Sequence, residues 1–385
     1  MLKRYLLAPG PTPVPHEALL AMAAPIIHHR TPEFSEVFRA VADGARRLFG
    51  TTQPVMMLAS TGTGGMEAAV TNTLKRGDRV IVVNAGKFGE RWLEISRAFG
   101  LDPVSVDVEW GRAVEPAAVA AALDENPGAR AVMVQASETS TTVLHPVGEL
   151  AQLTAGRDCL LIVDGITAVG VIDMAMDATG IDVLVTGSQK ALMLPPGLAL
   201  VGLSEKAWKF NLEADLPRYY FDLVKERNSL EADTSAYTPA VSLVTGLKAV
   251  FDLIEEGGGL AEVYRRHAIL AEATRAGVKA LGLGLLAPDN PSPAATGLLV
   301  PEGIDGGKLS KYLRDVMGVT VAGGQGHLKG RILRLAHIGY ADTFDVIVAL
   351  AAVEMALVKF GVKVEAGRGV AAAEAVLAAM YEQGP

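Results

Sequence analysis

Four short apolar runs constrain this chain more than anything else in it: Arg79-Val80-Ile81-Val82-Val83-Asn84, Ala131-Val132-Met133-Val134-Gln135, Cys159-Leu160-Leu161-Ile162-Val163-Asp164 and Asp182-Val183-Leu184-Val185-Thr186. Aliphatic runs without polar alternation predict strands buried on both faces, hence a mostly parallel sheet. Helix-period segments lie between them, among them Pro116 to Leu123 and Val147 to Thr154. The expected class is therefore α/β, with helices covering a sheet. Ligands of such sheets sit beyond the carboxyl ends of the strands. The polar residues that end these runs are where chemistry is expected.

At 385 residues the chain is too long for one small core and is expected to hold two domains. Its texture changes after about residue 250, where the long helical patterns Leu260 to Leu281 and Thr343 to Phe360 flank the short strands Thr296 to Val300 and Ile332 to Leu335. A further helical pattern, Ala371 to Tyr381, follows. Residues 1–255 are read as an N-terminal arm and a large domain, and 256–385 as a small C-terminal α+β domain, with Gly257-Gly258-Gly259 at the junction. One cysteine, Cys159, excludes a disulfide scaffold and a cysteine-built metal site. A net charge of -8 argues against nucleic acid as a partner. No apolar run approaches the ~18 residues needed to span a bilayer. The apolar stretch before Pro9 is too short for a signal peptide. The expectation is a cytoplasmic protein without membrane contact.

Three local signals then converge. Ser60-Thr61-Gly62-Thr63-Gly64-Gly65-Met66-Glu67 opens a helix with small residues, leaving N–H groups and a positive dipole end for an anion such as phosphate. The same residues would also make an ordinary glycine-rich turn. Asp164 ends a strand, where a carboxylate either caps the next turn or meets a buried cation. Lys190 stands in Gly187-Ser188-Gln189-Lys190-Ala191-Leu192-Met193-Leu194-Pro195-Pro196-Gly197, between polar residues and an apolar loop. Desolvation there would lower its pKa from roughly 10.4 and free a nucleophilic amine; a solvated lysine is the plain alternative. Asp164 and Lys190 are 26 residues apart, one helix-and-strand unit, so both should end adjacent strands. An anion cradle, a carboxylate and an activated amine are together what pyridoxal 5'-phosphate requires.

The chain resembles the class V, fold-type I PLP-dependent aminotransferases, and within them the alanine–glyoxylate and serine–glyoxylate (serine–pyruvate) branch. The residues that carry the likeness run almost end to end. They include Ala8-Pro9-Gly10-Pro11-Thr12-Pro13, His28-His29-Arg30-Thr31-Pro32-Glu33-Phe34, the Ser60 to Glu67 loop, Gly86-Lys87-Phe88-Gly89-Glu90-Arg91-Trp92, Glu138-Thr139-Ser140-Thr141-Thr142-Val143, Val163-Asp164-Gly165-Ile166-Thr167 and Gly187-Ser188-Gln189-Lys190-Ala191. The resemblance implies Lys190 as the Schiff-base lysine and Asp164 as the partner of the pyridinium nitrogen. It implies Ile166 and Phe88 on opposite faces of the ring; Phe88 stands where the family often has Trp. Thr61, Gly62 and Thr63 would hold the phosphate with Gln189, and Ser140 would sit near the phenolic edge. Thr238 and Ser235 would cross a homodimer interface to the second subunit's phosphate. Arg334 would grip the substrate α-carboxylate and Gly10 would line the entrance. The implied activity is transfer of an amino group from alanine, serine or glycine to glyoxylate or pyruvate.

No second arginine is evident beside Arg334, which favours small amino acids over dicarboxylates. Phosphoserine and 2-aminoethylphosphonate transaminases share the implied fold and stand as the alternative. A cysteine desulfurase would need a mobile-loop cysteine, whereas Cys159 opens a buried strand. Some relatives of this branch are described as a hydrogenase subunit, but one cysteine cannot supply an iron–sulfur ligand set.

Overall fold

The computed structural model describes residues 2–381. Its main sheet has seven strands: β1 (Val55–Leu58), β2 (Arg79–Asn84), β3 (Asp102–Asp107), β4 (Ala131–Gln135), β5 (Leu160–Asp164), β6 (Val183–Gly187) and β7 (Ala199–Leu203). Their spatial order is β1-β7-β6-β5-β4-β2-β3. The row β6-β5-β4-β2-β3 is parallel throughout, and β7 runs against both of its neighbours. The expected mostly parallel α/β sheet is therefore present.

Alternate side chains of the central strands enter different cores. Val132, Val134, Leu161, Val163 and Leu184 face one helical layer, while Ala131, Met133, Leu160, Ile162, Val183 and Val185 face the other. Each such Leu or Ile contributes about 1.5–3 kcal/mol on burial, which is why the interiors of these runs are aliphatic. The sheet ends one residue later than the sequence suggests at β6, and β5 starts after Cys159. Asp182, read as part of the run, stands just before β6 instead. Its carboxylate accepts the Leu161 N–H at 2.9 Å, the Ser204 hydroxyl at 2.8 Å and the Lys206 ammonium at 3.3 Å, so it staples the foot of the strand.

A second, three-stranded antiparallel sheet comprises β8 (Ala295–Leu299), β9 (Ala322–Gly323) and β10 (Ile332–Ala336), in the order β8-β10-β9. Helices Gly259–Ala280 and Thr343–Lys359 pack on it around their own apolar core. The last helix spans Arg368–Leu377 and tightens into a 3₁₀ turn at Ala378–Met380. It begins earlier than its apolar pattern because Gly367, at φ 80°, supplies the left-handed residue before it. The N-terminal strand Tyr5–Leu6 pairs in parallel with Val319–Thr320, anchoring the arm beside this second sheet. No helix among the described residues is long and apolar enough to cross a membrane.

Candidate active site

The reversal at β7 builds the loop that carries Lys190. Strands β6 and β7 are antiparallel neighbours, so the segment between them is a hairpin loop closed at its base by Ser188. The Ser188 hydroxyl donates to the Pro195 carbonyl at 2.7 Å and accepts the Leu198 N–H at 3.1 Å. Lys190 is thereby held just past the end of β6, beside Asp164 at the end of β5. The two strands pair in parallel, with Asp164 in register with Val185.

One cleft is lined by Gly62, Thr63, Phe88, Asp164, Ile166, Gln189 and Lys190, joined by Arg91, Ser137, Thr139 and Thr167. It lies beyond the carboxyl ends of the parallel strands, as the fold demands. Burial pushes the Lys190 amine down to about 8, opposed by the Asp164 carboxylate and reinforced by Arg334 and Arg91. The same desolvation pushes Asp164 up to about 6, against the Ile166 N–H that its Oδ1 accepts at 2.9 Å and the charges of Arg91 and Lys190. Oδ1 closes the turn, and Oδ2 has no hydrogen bond among the described residues.

The N-terminal arm reaches this lysine. Nζ donates to the Pro9 carbonyl at 2.8 Å, and the Thr12 hydroxyl donates to the Lys190 carbonyl at 2.9 Å. Gly10 has φ 141°, and a Cβ there would stand 2.0 Å from Nζ. Gly10 therefore packs against the Lys190 amine with a backbone conformation that favours glycine, and a side chain there would push the amine aside. Gly10→Ala should slow cofactor capture by apo-protein about 10²-fold through displacement of the amine. Stopped-flow absorbance measures that rate, and far-ultraviolet circular dichroism should stay at the wild-type level.

Helix α1 (Gly62–Thr73) starts at Thr61, whose exposed side chain makes no capping bond. Its first N–H groups are left for an anion. Gln189 lines the same wall. An uncapped helix start, a carboxylate with one oxygen unbonded among the described residues and an amine of lowered pKa fit pyridoxal 5'-phosphate. Phe88, from the first turn of helix α2 (Lys87–Ala98), and Ile166 give the cleft its apolar walls.

Other expected residues sit differently. Ser140 lies behind the cleft wall, where its hydroxyl accepts the Lys87 N–H at 2.9 Å and donates to Glu138. The hydroxyl on the cleft side is that of Thr139, paired with Thr167 at 2.7 Å. Arg334, 7% exposed, spends three N–H groups on backbone carbonyls: Nε and Nη2 on Gly323, Nη1 on Thr139. A guanidinium has five N–H groups, so two remain to meet a carboxylate. Ser235 and Thr238 do not line this cleft in their own chain; Ser235 bonds the Tyr237 carbonyl at 2.6 Å. Arg91 is the residue that the sequence reading passes over. Its Nη1 donates to Thr63 at 3.2 Å, and its guanidinium lies 4.8 Å above the Phe88 ring. Arg91 stands three places after Phe88, hence on the same helix face. That spacing was available as a signal.

Fold and cleft together define a fold-type I pyridoxal-phosphate enzyme. Residues 4–335 match the family model Aminotransferase class-V. The chain is 39% identical, over 97% of its own length and 98% of the relative's, to a Synechococcus sp. (strain PCC 6716) protein named "Soluble hydrogenase, small subunit". It is 35% identical to the serine–glyoxylate aminotransferase of Methylorubrum extorquens, over 97% of this chain and 96% of that one. Its fold superposes on ureidoglycine–glyoxylate aminotransferase from Bacillus subtilis with a TM-score of 0.92 and 28% identity, covering 98% of each chain. The chain belongs to the class V aminotransferases, which depend on pyridoxal phosphate.

Proposed function

We propose that this protein transfers the amino group of alanine, serine or glycine to glyoxylate or pyruvate. The observation that carries the reading is the meeting of Lys190 and Asp164 in one cleft with Phe88, Ile166 and the uncapped start of α1. When bound, the cofactor supplies an aldehyde that amines can join and a protonated ring that accepts the electron pair released at Cα. Asp164 Oδ2 would hold the proton on the ring nitrogen. Phe88 and Ile166 would clamp the ring faces, while the N–H groups of Gly62 and Thr63 and the Gln189 amide would hold the phosphate. Burial brings the Lys190 amine to about 8, so a substantial fraction is neutral at physiological pH and would take the Cα proton as general base. Arg334 fixes the substrate carboxylate with its two remaining N–H groups, so that the Cα–H bond is presented to that amine.

Arg91 gives the cleft a second guanidinium, so aspartate belongs in the test beside the small amino acids. Holo-protein is mixed with alanine, serine, glycine, aspartate and phosphoserine in turn, and the visible cofactor band is followed. Bleaching by at least one of the three small amino acids is expected. If all three fail while a phosphorylated compound succeeds, the substrate class is wrong. The hydrogenase name among the relatives supports one competing reading, an accessory subunit; it requires a function that survives Lys190→Ala.

We also infer a homodimer, supported by the position of Ser235 and Thr238 outside their own cleft, and a division into domains at 255/256, supported by the separate core of the second sheet. A cytoplasmic location completes the reading.

A further inference from the structure

Behind the aromatic wall of the cleft lies a carboxylate that the mechanism above does not use. Glu138 is fully buried at the end of the two-residue strand Ser137–Glu138, where the chain turns after β4. Its Oε2 accepts the N–H groups of Phe88 and Gly89 at 3.0 and 3.1 Å, and its Oε1 accepts the Ser140 N–H at 3.0 Å together with the Ser140 hydroxyl. That hydroxyl in turn receives the Lys87 N–H at 2.9 Å. The first three N–H groups of α2, normally satisfied by a capping side chain just before the helix, are all gathered by a turn about 50 residues away in the chain.

The cap residue itself, Gly86, makes no side-chain bond and leaves room for the visitor. A Cβ on Gly86 would lie 2.5 Å from both Glu138 Cδ and Ser140 Oγ. No Lys or Arg forms a salt bridge with Glu138 among the described residues; its carboxyl group faces the positive end of the α2 dipole instead. The next residue, Thr139, places its hydroxyl in the cleft and its carbonyl on Arg334 Nη1 at 2.8 Å. One turn therefore touches the backbone of the ring-stacking residue on one side and the carboxylate-binding arginine on the other.

We propose that Glu138 is a positioning residue that sets Phe88, and through it the cofactor ring, by gathering the N–H groups of Phe88, Gly89 and Ser140. The inference rests on the cofactor reading above and adds a function to a residue outside the cofactor's reach. A glutamine at 138 keeps the volume but turns an NH₂ group toward backbone N–H donors, so it cannot hold both ends of the turn.

The test is a titration of apo-protein with pyridoxal phosphate, followed by tryptophan fluorescence and by the circular dichroism that the fixed cofactor shows in the visible. Glu138→Gln should bind about 10- to 100-fold more weakly and show a reduced or shifted visible dichroism. Ser140→Ala, which leaves Oε2 on Phe88 and Gly89, should change both far less even where it lowers the melting temperature. A folded Glu138→Gln protein with affinity within about twofold of wild type and unaltered dichroism would overturn the proposal. If that variant does not fold, Gly86→Ala is read in its place, because its Cβ displaces the same carboxylate; unchanged binding there overturns the proposal equally. Wild-type apo-protein runs alongside. Its failure to bind the cofactor would count against the functional reading, whereas a failure confined to the Glu138 comparison counts against this one alone.

Discussion

Lys190→Ala should lower kcat by ~10⁴-fold or more and remove covalent capture of pyridoxal phosphate, while leaving the fold intact. The side chain performs two tasks, nucleophile and general base, and no neighbour replaces it. Pro9 supplies only a carbonyl, Arg91 and Arg334 are guanidinium groups, and Asp164 is a carboxylate that cannot form the covalent link. The burial that brings the amine to about 8 also sets a pH dependence in the wild type. Capture needs the neutral amine. The rate with apo-protein should rise about tenfold per pH unit below 8 and level off above it; an ordinary exposed lysine would continue rising to roughly 10.4. Single-turnover absorbance at a series of pH values measures both the loss in Lys190→Ala and the position of the bend.

Asp164→Ala should reduce turnover by about 10²–10³-fold with the cofactor still bound. The carboxylate lies where a ring nitrogen would need an acceptor, and its burial makes it strong: in a desolvated site a fixed charge stabilises a developing opposite charge far more than it would in water. Ala cannot keep the ring nitrogen protonated, and the electron pair released at Cα then has no sink. The Oδ1 bond to Ile166 is lost as well, so some loosening of that wall is expected. Asp164→Asn separates the two effects, since its amide oxygen can keep the turn closed. It should recover melting temperature and not kcat. Wild-type kcat in either variant would show that the acid does not serve the ring.

The parallel core was legible because burial on both faces leaves an uninterrupted aliphatic run, and β2 and β4 have the limits that their sequences suggest. Of the unforeseen strands only Asp102–Asp107 lacks that mark, alternating at an exposed edge; Val55–Leu58 is apolar but four residues long, and Ala199–Leu203 is broken by Gly202 and carries no information about its direction. The Lys190–Asp164 pair was legible because a single helix-and-strand unit separates them. Ser140 and Thr139 show the opposite case. They are neighbours in a turn, where side-chain direction follows no fixed period, so a motif aligned one residue off turns a wall hydroxyl into a buried one. Glu138 was invisible as a cap because its partners belong to another element, and only the folded chain brings Phe88 N–H to it.

The central assertion is that the Lys190 amine and the Asp164 acid hold one cofactor between them. Borohydride reduction of the holo-protein, followed by proteolysis and mass spectrometry, tests it most directly. The reduced cofactor should appear on the peptide containing Lys190, with Asp164→Ala protein labelled at the same lysine yet nearly inactive. Label on any other lysine, or none on a protein that still transaminates, would contradict it.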